Sequence, residues 1–553
     1  MMPRSIDEFC SVEFRAKPDE TARTLTRLLS EEYDLPRDND LVRRFIKETL
    51  PAGRILVYGA GTLGRELLPV IEARPGVQIV GFLDRNADRM TDFEGYDVFA
   101  PDTAASIDCD YVLLAHQSQE RHMSDALLAA GVPRHAIRLI FGAPDFAGFT
   151  EAWVNEKIAA LPTRASAVVI GTLPEYNSII HDEFLEELLP SQDTWVMYFG
   201  RREIRTDDEL TKSFRLFDCH QSLTMMRHAL ERLQPKFIYL KATLHSLSPW
   251  LAFVVQQYCP TAKIVTEFND WAVLLSAPRL RSSFGYDDRD LAQCRFGEWY
   301  ASMRHDAVVT KQGGVPWEHL VGQMKAAHLP FFPAVNPHSP VPEMIPPPPP
   351  APIRVLFAGM LRFPQVDGTK IDHPDLNQGE ILRDLFTSRD FLIDIYNVLH
   401  LAPAMDELYR VYMDWFDTPG SPIQYHRRIS LDEVAQIIPN YHIGWCVTHG
   451  PRSEETEALT KLVVPSKVAT YFSQGLPVII DDQYYYMAEL IDCFKAGIVV
   501  PLGDFASIPD RLRAADFAQL RAGAFELLRY MKDSNRNTLA RFREIVAEAL
   551  KQA

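Results

Sequence analysis

The chain has 553 residues, too many for one ordinary domain and enough for roughly three or four. A composition of 47% hydrophobic and 24% charged residues excludes a mainly disordered or fibrous protein. The net charge of −17 repels phosphate backbones and so argues against nucleic acid as a partner.

The seven cysteines (Cys10, Cys109, Cys219, Cys259, Cys294, Cys446 and Cys493) are scattered and never spaced as Cys-x-x-Cys. That pattern speaks against a disulfide framework and against structural zinc. No His-Glu-x-x-His or His/Cys cluster points to a metal. The opening MMPRSIDEFCSVEF has no apolar h-region, and no apolar run reaches the ~20 residues of a membrane span. The expectation is a cytoplasmic protein that needs no metal and touches the inner membrane face at most peripherally.

Residues 1–50 repeat apolar positions at helical spacing (Ala22, Leu25, Leu28, Leu29; Leu41, Phe45, Ile46, Leu50) and read as a helical extension. From Arg54 strands and helices alternate. The strand candidates are Ile55–Gly59, Val77–Leu83, Tyr111–Ala115 and Ile137–Phe141, with helices at Arg65–Glu72 and Ser118–Ala130. This rhythm predicts a small parallel-sheet domain over 51–148.

Within it, Gly59-Ala60-Gly61-Thr62-Leu63-Gly64 lies between a strand and a helix, and Asp84 follows twenty residues after the last glycine. The first glycine permits a tight turn and the second lets backbone N–H groups approach a pyrophosphate. The third packs helix on strand, and the acid suits a ribose hydroxyl. Two readings follow: a bound nucleotide, such as NAD or a nucleotide sugar, held at Gly59, Gly61, Gly64 and Asp84, or glycines that serve packing alone. The segment Arg54–Phe141 resembles small Rossmann-like modules attached to bacterial sugar-modifying enzymes and some methyltransferases. A dehydrogenase is disfavoured, because none of the twenty tyrosines begins Tyr-x-x-x-Lys.

A helical connector (Glu151–Leu161) leads to a second series over 165–339. Its strand candidates are Ala165–Gly171, Thr194–Gly200, Lys236–Ala242, Lys263–Phe268 and Asp306–Lys311, with helices at Leu223–Leu233 and Pro249–Tyr258. The stretch 340–352, with five consecutive prolines, reads as a stiff spacer. The rhythm then restarts over 353–553 with Ile353–Gly359, Phe391–Asn397, Pro422–Arg427, His442–Val447, Leu476–Ile480 and Gly497–Pro501. From Phe517 the tail reads as one or two long helices.

Val464-Pro465-Ser466-Lys467 through Gly475-Leu476-Pro477-Val478-Ile479-Ile480 resembles the "pxK…eylaaGlPVI" segment of group-1-type glycosyltransferases. The physics suits a diphosphate: Pro465 and Ser466 open a helix whose N–H groups attract anions, Lys467 adds a full charge, and Gly475 ends the helix. The resemblance implies an α/β chain of GT-B type, two facing Rossmann-like lobes preceded by the smaller Rossmann-like domain. It implies a nucleotide-sugar donor and a glycan, lipid-linked or protein acceptor, with no required cofactor.

It also places Gly359 and Arg362 on the donor phosphates, with Lys370 beyond an inserted FPQVDGT, and His426 and Arg427 by the donor base. Asp432–Val434 then open the following helix, and Ile498–Pro501 with Asp504 close the lobe. The glutamate pair common in retaining members is absent: Leu462 and Thr470 stand at those positions, and Glu454, Glu455 and Glu457 lie upstream.

In the first lobe Glu267-Phe268-Asn269-Asp270-Trp271 ends a strand. Asp270 is either a general base toward the acceptor or a helix cap. Leu173–Asn177 is the expected acceptor loop. Arg201, Arg202, Arg279 and Arg281 are membrane-facing candidates or solvated surface, and His426 and His449 lie near the cleft. The alternative to an enzyme is a non-catalytic nucleotide-sensing or scaffold protein of degenerate Rossmann lobes.

Overall fold

The computed structural model describes residues 3–90, 92–116, 119–171, 179–180, 182–200, 214–244, 248–344, 348, 351–359, 361, 378–398, 400, 403–416, 418–448 and 457–551. The chain forms three α/β sheets and divides into two compact units. One comprises Arg27–Arg164 with Asp218–Gln234, the other Met1–Thr26, Ala165–Phe217 and Pro235–Ala553.

In the first unit β1 (Gly53–Tyr58), β2 (Val77–Leu83), β3 (Val98–Phe99), β4 (Tyr111–Leu114) and β5 (Ile137–Arg138) pair in parallel, in the order β3-β2-β1-β4-β5. The continuous apolar run Ile55–Tyr58 is buried on both faces, as central parallel strands require. Helix α1 (Asn39–Thr49) packs Phe45 edge-on against Phe146 of the helix Pro144–Ala159. The strand expected over 137–141 is shorter, because Ile140, Phe141 and Gly142 donate their N–H groups to the buried Glu120 carboxylate instead of to a ladder.

The extension 1–50 is divided between the units. Phe9 meets Trp271 and Phe14 meets Phe296 edge-on in the second unit, whereas α1 belongs to the first. The first unit also takes in the helix Leu223–Leu233, which the strand rhythm alone assigned to the middle lobe.

The second unit holds two sheets. In the middle lobe β6 (Ala167–Gly171), β7 (Thr194–Tyr198), β8 (Arg215–Asp218), β9 (Phe237–Ala242), β10 (Lys263–Phe268), β11 (Ala307–Thr310) and β12 (Ala327–Pro330) are ordered β12-β11-β10-β9-β6-β7-β8. β8 and β12 escaped the sequence pattern because each is an edge strand of four residues with mixed polarity.

In the C-terminal lobe β13 (Ile353–Gly359), β14 (Phe391–Asn397), β15 (Ile423–His426), β16 (Ile443–Cys446), β17 (Val478–Asp481) and β18 (Gly497–Val500) are ordered β15-β14-β13-β16-β17-β18. All their recorded pairings are parallel. Such a pair of doubly wound lobes has the two-lobed GT-B plan, and ligands of these sheets bind beyond the strand C-termini.

One helix, α5 (Phe517–Lys551), ties the lobes together: its 35 residues extend about 52 Å. Its Leu527, Leu528 and Met531 enter the C-terminal lobe's core, and Leu539, Phe542 and Val546 enter the middle lobe's. Between these stretches Asn535 accepts from Phe332 N (2.8 Å) and donates to the Phe332 and Val335 carbonyls. Lys532 Nζ donates to the carbonyls of Asn336 (2.8 Å) and Ser339 (2.6 Å). The crossover chain is thereby fastened to the helix that bridges both cores.

Candidate functional site

In the first unit, helix α2 (Thr62–Glu72) starts at Gly61, which has no side-chain cap. Gly59 holds φ +122, and a Cβ there would lie 2.9 Å from the Ala115 carbonyl oxygen. A Cβ on Gly64 would fall inside the van der Waals radius of the Gly59 carbonyl oxygen. Asp84, one residue past β2, accepts from Ala60 N (3.2 Å) and Asn86 N (2.9 Å), so its carboxylate is aimed back at the glycine turn. Gly59, Gly61 and Asp84 line a cavity of about 540 Å³.

In the second unit, the residues expected in the cleft lie at the C-terminal ends of β10, β11 and β13 and at the start of a helix in the C-terminal lobe. Asp270, just after β10, faces Lys311, just after β11, with Nζ to Oδ1 at 3.4 Å. The Lys311 side chain is only 9% exposed and Asp270 29%, so the carboxylate is the solvent-facing partner. Asp270 is not a helix cap: the 3₁₀ turn Ala272–Leu274 is entered through Trp271.

Around that pair two carboxylates are buried for structural work. Glu267 accepts from Ile179 N (2.6 Å), Ile180 N (3.0 Å) and Tyr239 Oη (2.5 Å). Glu298, on α3 (Asp288–Arg304), accepts from Ala272 N and Val273 N. Burial raises the pKa of both, Glu298 to about 8, although the backbone N–H donors pull the other way. Together they shape the turn that presents Asp270.

Across the cleft, α4 (Ser466–Ser473) begins after Pro465 with no side-chain cap. Lys467 at its second position lies over the Phe357 ring (Nζ to centroid 5.3 Å), and its stem runs beside Gly359, where a Cβ would meet Cδ at 3.5 Å. Tyr471, one turn on, accepts from Ala358 N through its hydroxyl (2.8 Å) and so latches the helix to the end of β13. At the far end Gly475 (φ +69) gives its N–H to Phe472 O, and Leu476 N reaches Tyr471 O. This is a Schellman closure. It delays β17 to Val478, two residues later than the apolar run suggests.

The two sides meet through the backbone. Val464 N donates to Lys311 O (3.1 Å) and Gly313 N to Leu462 O (3.0 Å), forming a β-bridge between Gln312 and Val463. Gln312 also donates from its side chain to Asn269 O (3.4 Å). Asp270, Lys311, Gly359, Ser466 and Lys467 are therefore gathered at one place.

His426 and Arg427 stand apart from this cluster, at the end of the edge strand β15. His426 stacks on Tyr396 and pairs with Asp394 (2.9 Å), and Arg427 pairs with Asp406 (2.6 Å). The hydrogen bond from Arg427 lowers the Asp406 pKa, helped by His400. Thr470 returns its hydroxyl to Ser466 O and Leu462 is buried, so neither offers a carboxylate in place of the missing glutamates.

Arg362, Lys370, Leu173–Asn177, Arg201, Arg202, His449, Glu454 and Glu455, and the side chains of Arg279, Asp432 and Glu457, lie outside the described residues. Arg281 is exposed and pairs with Asp288. Sequence reasoning missed Lys311, Glu298 and Tyr471 as parts of the site. Lys311 merely ends an apolar strand and the other two are spaced like core residues, so no local signal marked them.

Comparison with known proteins adds the following. The family model described as "C2185-like, N-terminal" matches residues 52–138. No curated protein sequence matches the chain. Among solved structures, the chain is similar to HepE (Alr3699) of Anabaena in complex with UDP, at 9% identity over 69% of this chain and 100% of that one, TM-score 0.47. It is similar to the lipopolysaccharide outer core galactosyltransferase WaaB at 11% identity, over 68% and 99%, TM-score 0.44. It is also similar to the sucrose-phosphate synthase of Thermosynechococcus elongatus at 12%, over 70% and 100%, TM-score 0.46. At such identities the likeness is one of fold. Among the described residues no helix is long and apolar enough to cross a membrane, and no group of three or more His, Cys, Asp or Glu is placed to hold a metal ion.

Proposed function

We propose that the chain is a glycosyltransferase that moves a sugar from a nucleoside-diphosphate donor to a hydroxyl of a glycan, lipid-linked or protein acceptor. The observation that carries this reading is the backbone bridge of Lys311, Gln312 and Gly313 to Leu462–Val464, which sets a carboxylate opposite a cationic helix start. The donor diphosphate lies on the N–H groups that open α4, beside Lys467 and the end of β13 at Gly359, where charge develops as it departs. Asp270 accepts the proton of the acceptor hydroxyl as that oxygen attacks the anomeric carbon.

The test is hydrolysis and transfer from a panel of nucleotide sugars by the purified chain. Lys467→Ala slows transfer about 10²–10³-fold and removes the thermal stabilisation given by the matching nucleoside diphosphate, with the fold intact. Asp270→Asn lowers turnover about 10²–10⁴-fold while donor binding persists. Unchanged turnover in Lys467→Ala overturns the diphosphate assignment. Protection by NAD alone, lost in Gly61→Val, favours the sensor reading.

A further inference from the structure

The cavity of about 540 Å³ in the first unit is lined by none of the residues assigned to sugar transfer. It opens beyond the C-terminal ends of β1, β2 and β4, and its rim includes Pro36–Asn39, a strap from outside the strand–helix module.

The three glycines of the turn beside it are not equivalent. Gly59 is demanded by its positive φ and Gly64 by its approach to the Gly59 carbonyl. Gly61 has φ −119, open to any L-residue, and a Cβ there would meet nothing within 4 Å. The fold requires glycine at 59 and 64 but not at 61. What glycine at 61 does is leave the backbone N–H groups of the helix start bare toward the cavity.

The charges agree. Helix α1 opens on the same cavity and is capped by its own carboxylate, Asp38 accepting from Asp40 N (2.5 Å) and Leu41 N (3.4 Å). Helix α2 has neither a side-chain cap nor an acidic residue in its first turn. One helix start is neutralised from within, and the other is left to an anion from outside.

We propose that this cavity binds one nucleoside diphosphate group, its diphosphate on the N–H groups at Gly61–Leu63, its ribose on Asp84, and the strap Pro36–Asn39 as its roof. The five-stranded order β3-β2-β1-β4-β5 reverses between β1 and β4, and the glycine turn that follows β1 lies at this switch point, where ligands of such sheets bind. The group is carried alike by a free nucleotide, a nucleotide sugar, or the adenosine half of a dinucleotide. Arg37 on the strap supplies positive charge at the rim.

The strap is hitched to a turn of the same unit. Arg37 N donates to His220 O (2.7 Å), Ser222 Oγ to Asp34 O (2.6 Å) and Leu223 N to Tyr33 O (2.8 Å). A filled cavity thus orders both the strap and the residues that follow β8.

The experiment is calorimetric titration of the full chain with ADP, NAD⁺, UDP and UDP-glucose, in wild type, Gly61→Val and Lys467→Ala. At least one nucleotide saturates wild type and Lys467→Ala alike and loses about tenfold or more in affinity in Gly61→Val. That variant, without ligand, melts within about 5 °C of wild type, the cost of a poorer helix cap. NAD⁺ alongside ADP assigns the adenosine half of a dinucleotide, ADP or UDP alone a free nucleotide, and UDP-glucose a nucleotide sugar; any of the three supports the site. Equal affinity in Gly61→Val, binding that vanishes wholly in Lys467→Ala, or no binding of any of the four overturns it. Amide exchange of residues 33–39 and 218–224 slows on saturation; unchanged exchange there overturns the strap as roof.

Discussion

Two helix starts in this molecule carry no side-chain cap, and they are built differently. At α2 the chain uses glycine: Gly61 carries no side chain, the helix has no cap, and the nearest carboxylate, Asp84, is turned onto the glycine turn. At α4 it uses charge: Pro465 leads in, Lys467 lies at the second position, and Phe357 supports its ammonium. A bare backbone suits a ligand that is held. A full positive charge suits a ligand whose charge grows during reaction. The first start lies under a strap of its own unit, and the second beside a bridge between two lobes, where an acceptor can approach.

The largest expected effect tests the glycines. Gly64→Ala drives a methyl into the Gly59 carbonyl and costs about 4 kcal/mol, read as a lower melting temperature of the first unit. Next comes Lys467→Ala, expected to slow transfer about 10²–10³-fold while leaving nucleotide affinity at α2 unchanged; equal loss at both sites would erase the distinction between them.

Acid separates the units as well. His305 and His328 of the second unit are held at about 4 by burial, against 6.5 for the free side chain. Stability from them is complete above pH 6.5 and falls as the pH drops to 4, because the unfolded chain takes up the protons. The loss reaches about 3 kcal/mol per histidine and is measured by denaturation across that range. The smallest effect is Gly61→Ala, within about 1 kcal/mol in the absence of ligand. A cost as large as that of Gly64→Ala would return Gly61 to a packing role.

Much of this architecture is legible in the sequence where the signal is local. The strands Val77–Leu83, Lys263–Phe268, Ile353–Gly359 and Phe391–Asn397 have the bounds their largely apolar runs suggest, since a parallel strand covered on both faces is mostly apolar. The strands it hides, β3, β8 and β12, are short edges whose pairing depends on a neighbour far away in the chain. Likewise His426 and Arg427 look like free polar groups in sequence, and only the fold supplies Asp394 and Asp406 to engage them.

By itself the sequence determined the three strand–helix series, the glycine turn at 59–64 and the Pro–Ser–Lys helix start, because each is a matter of period or of one residue's own stereochemistry. Tertiary structure alone decided that Asp270 is paired with Lys311 and is not a helix cap, and that residues 1–50 serve two units. It alone decided that Gly61, unlike its two neighbours in the motif, is free of any packing demand. Those outcomes depend on which atoms arrive from distant parts of the chain, and no periodicity encodes that.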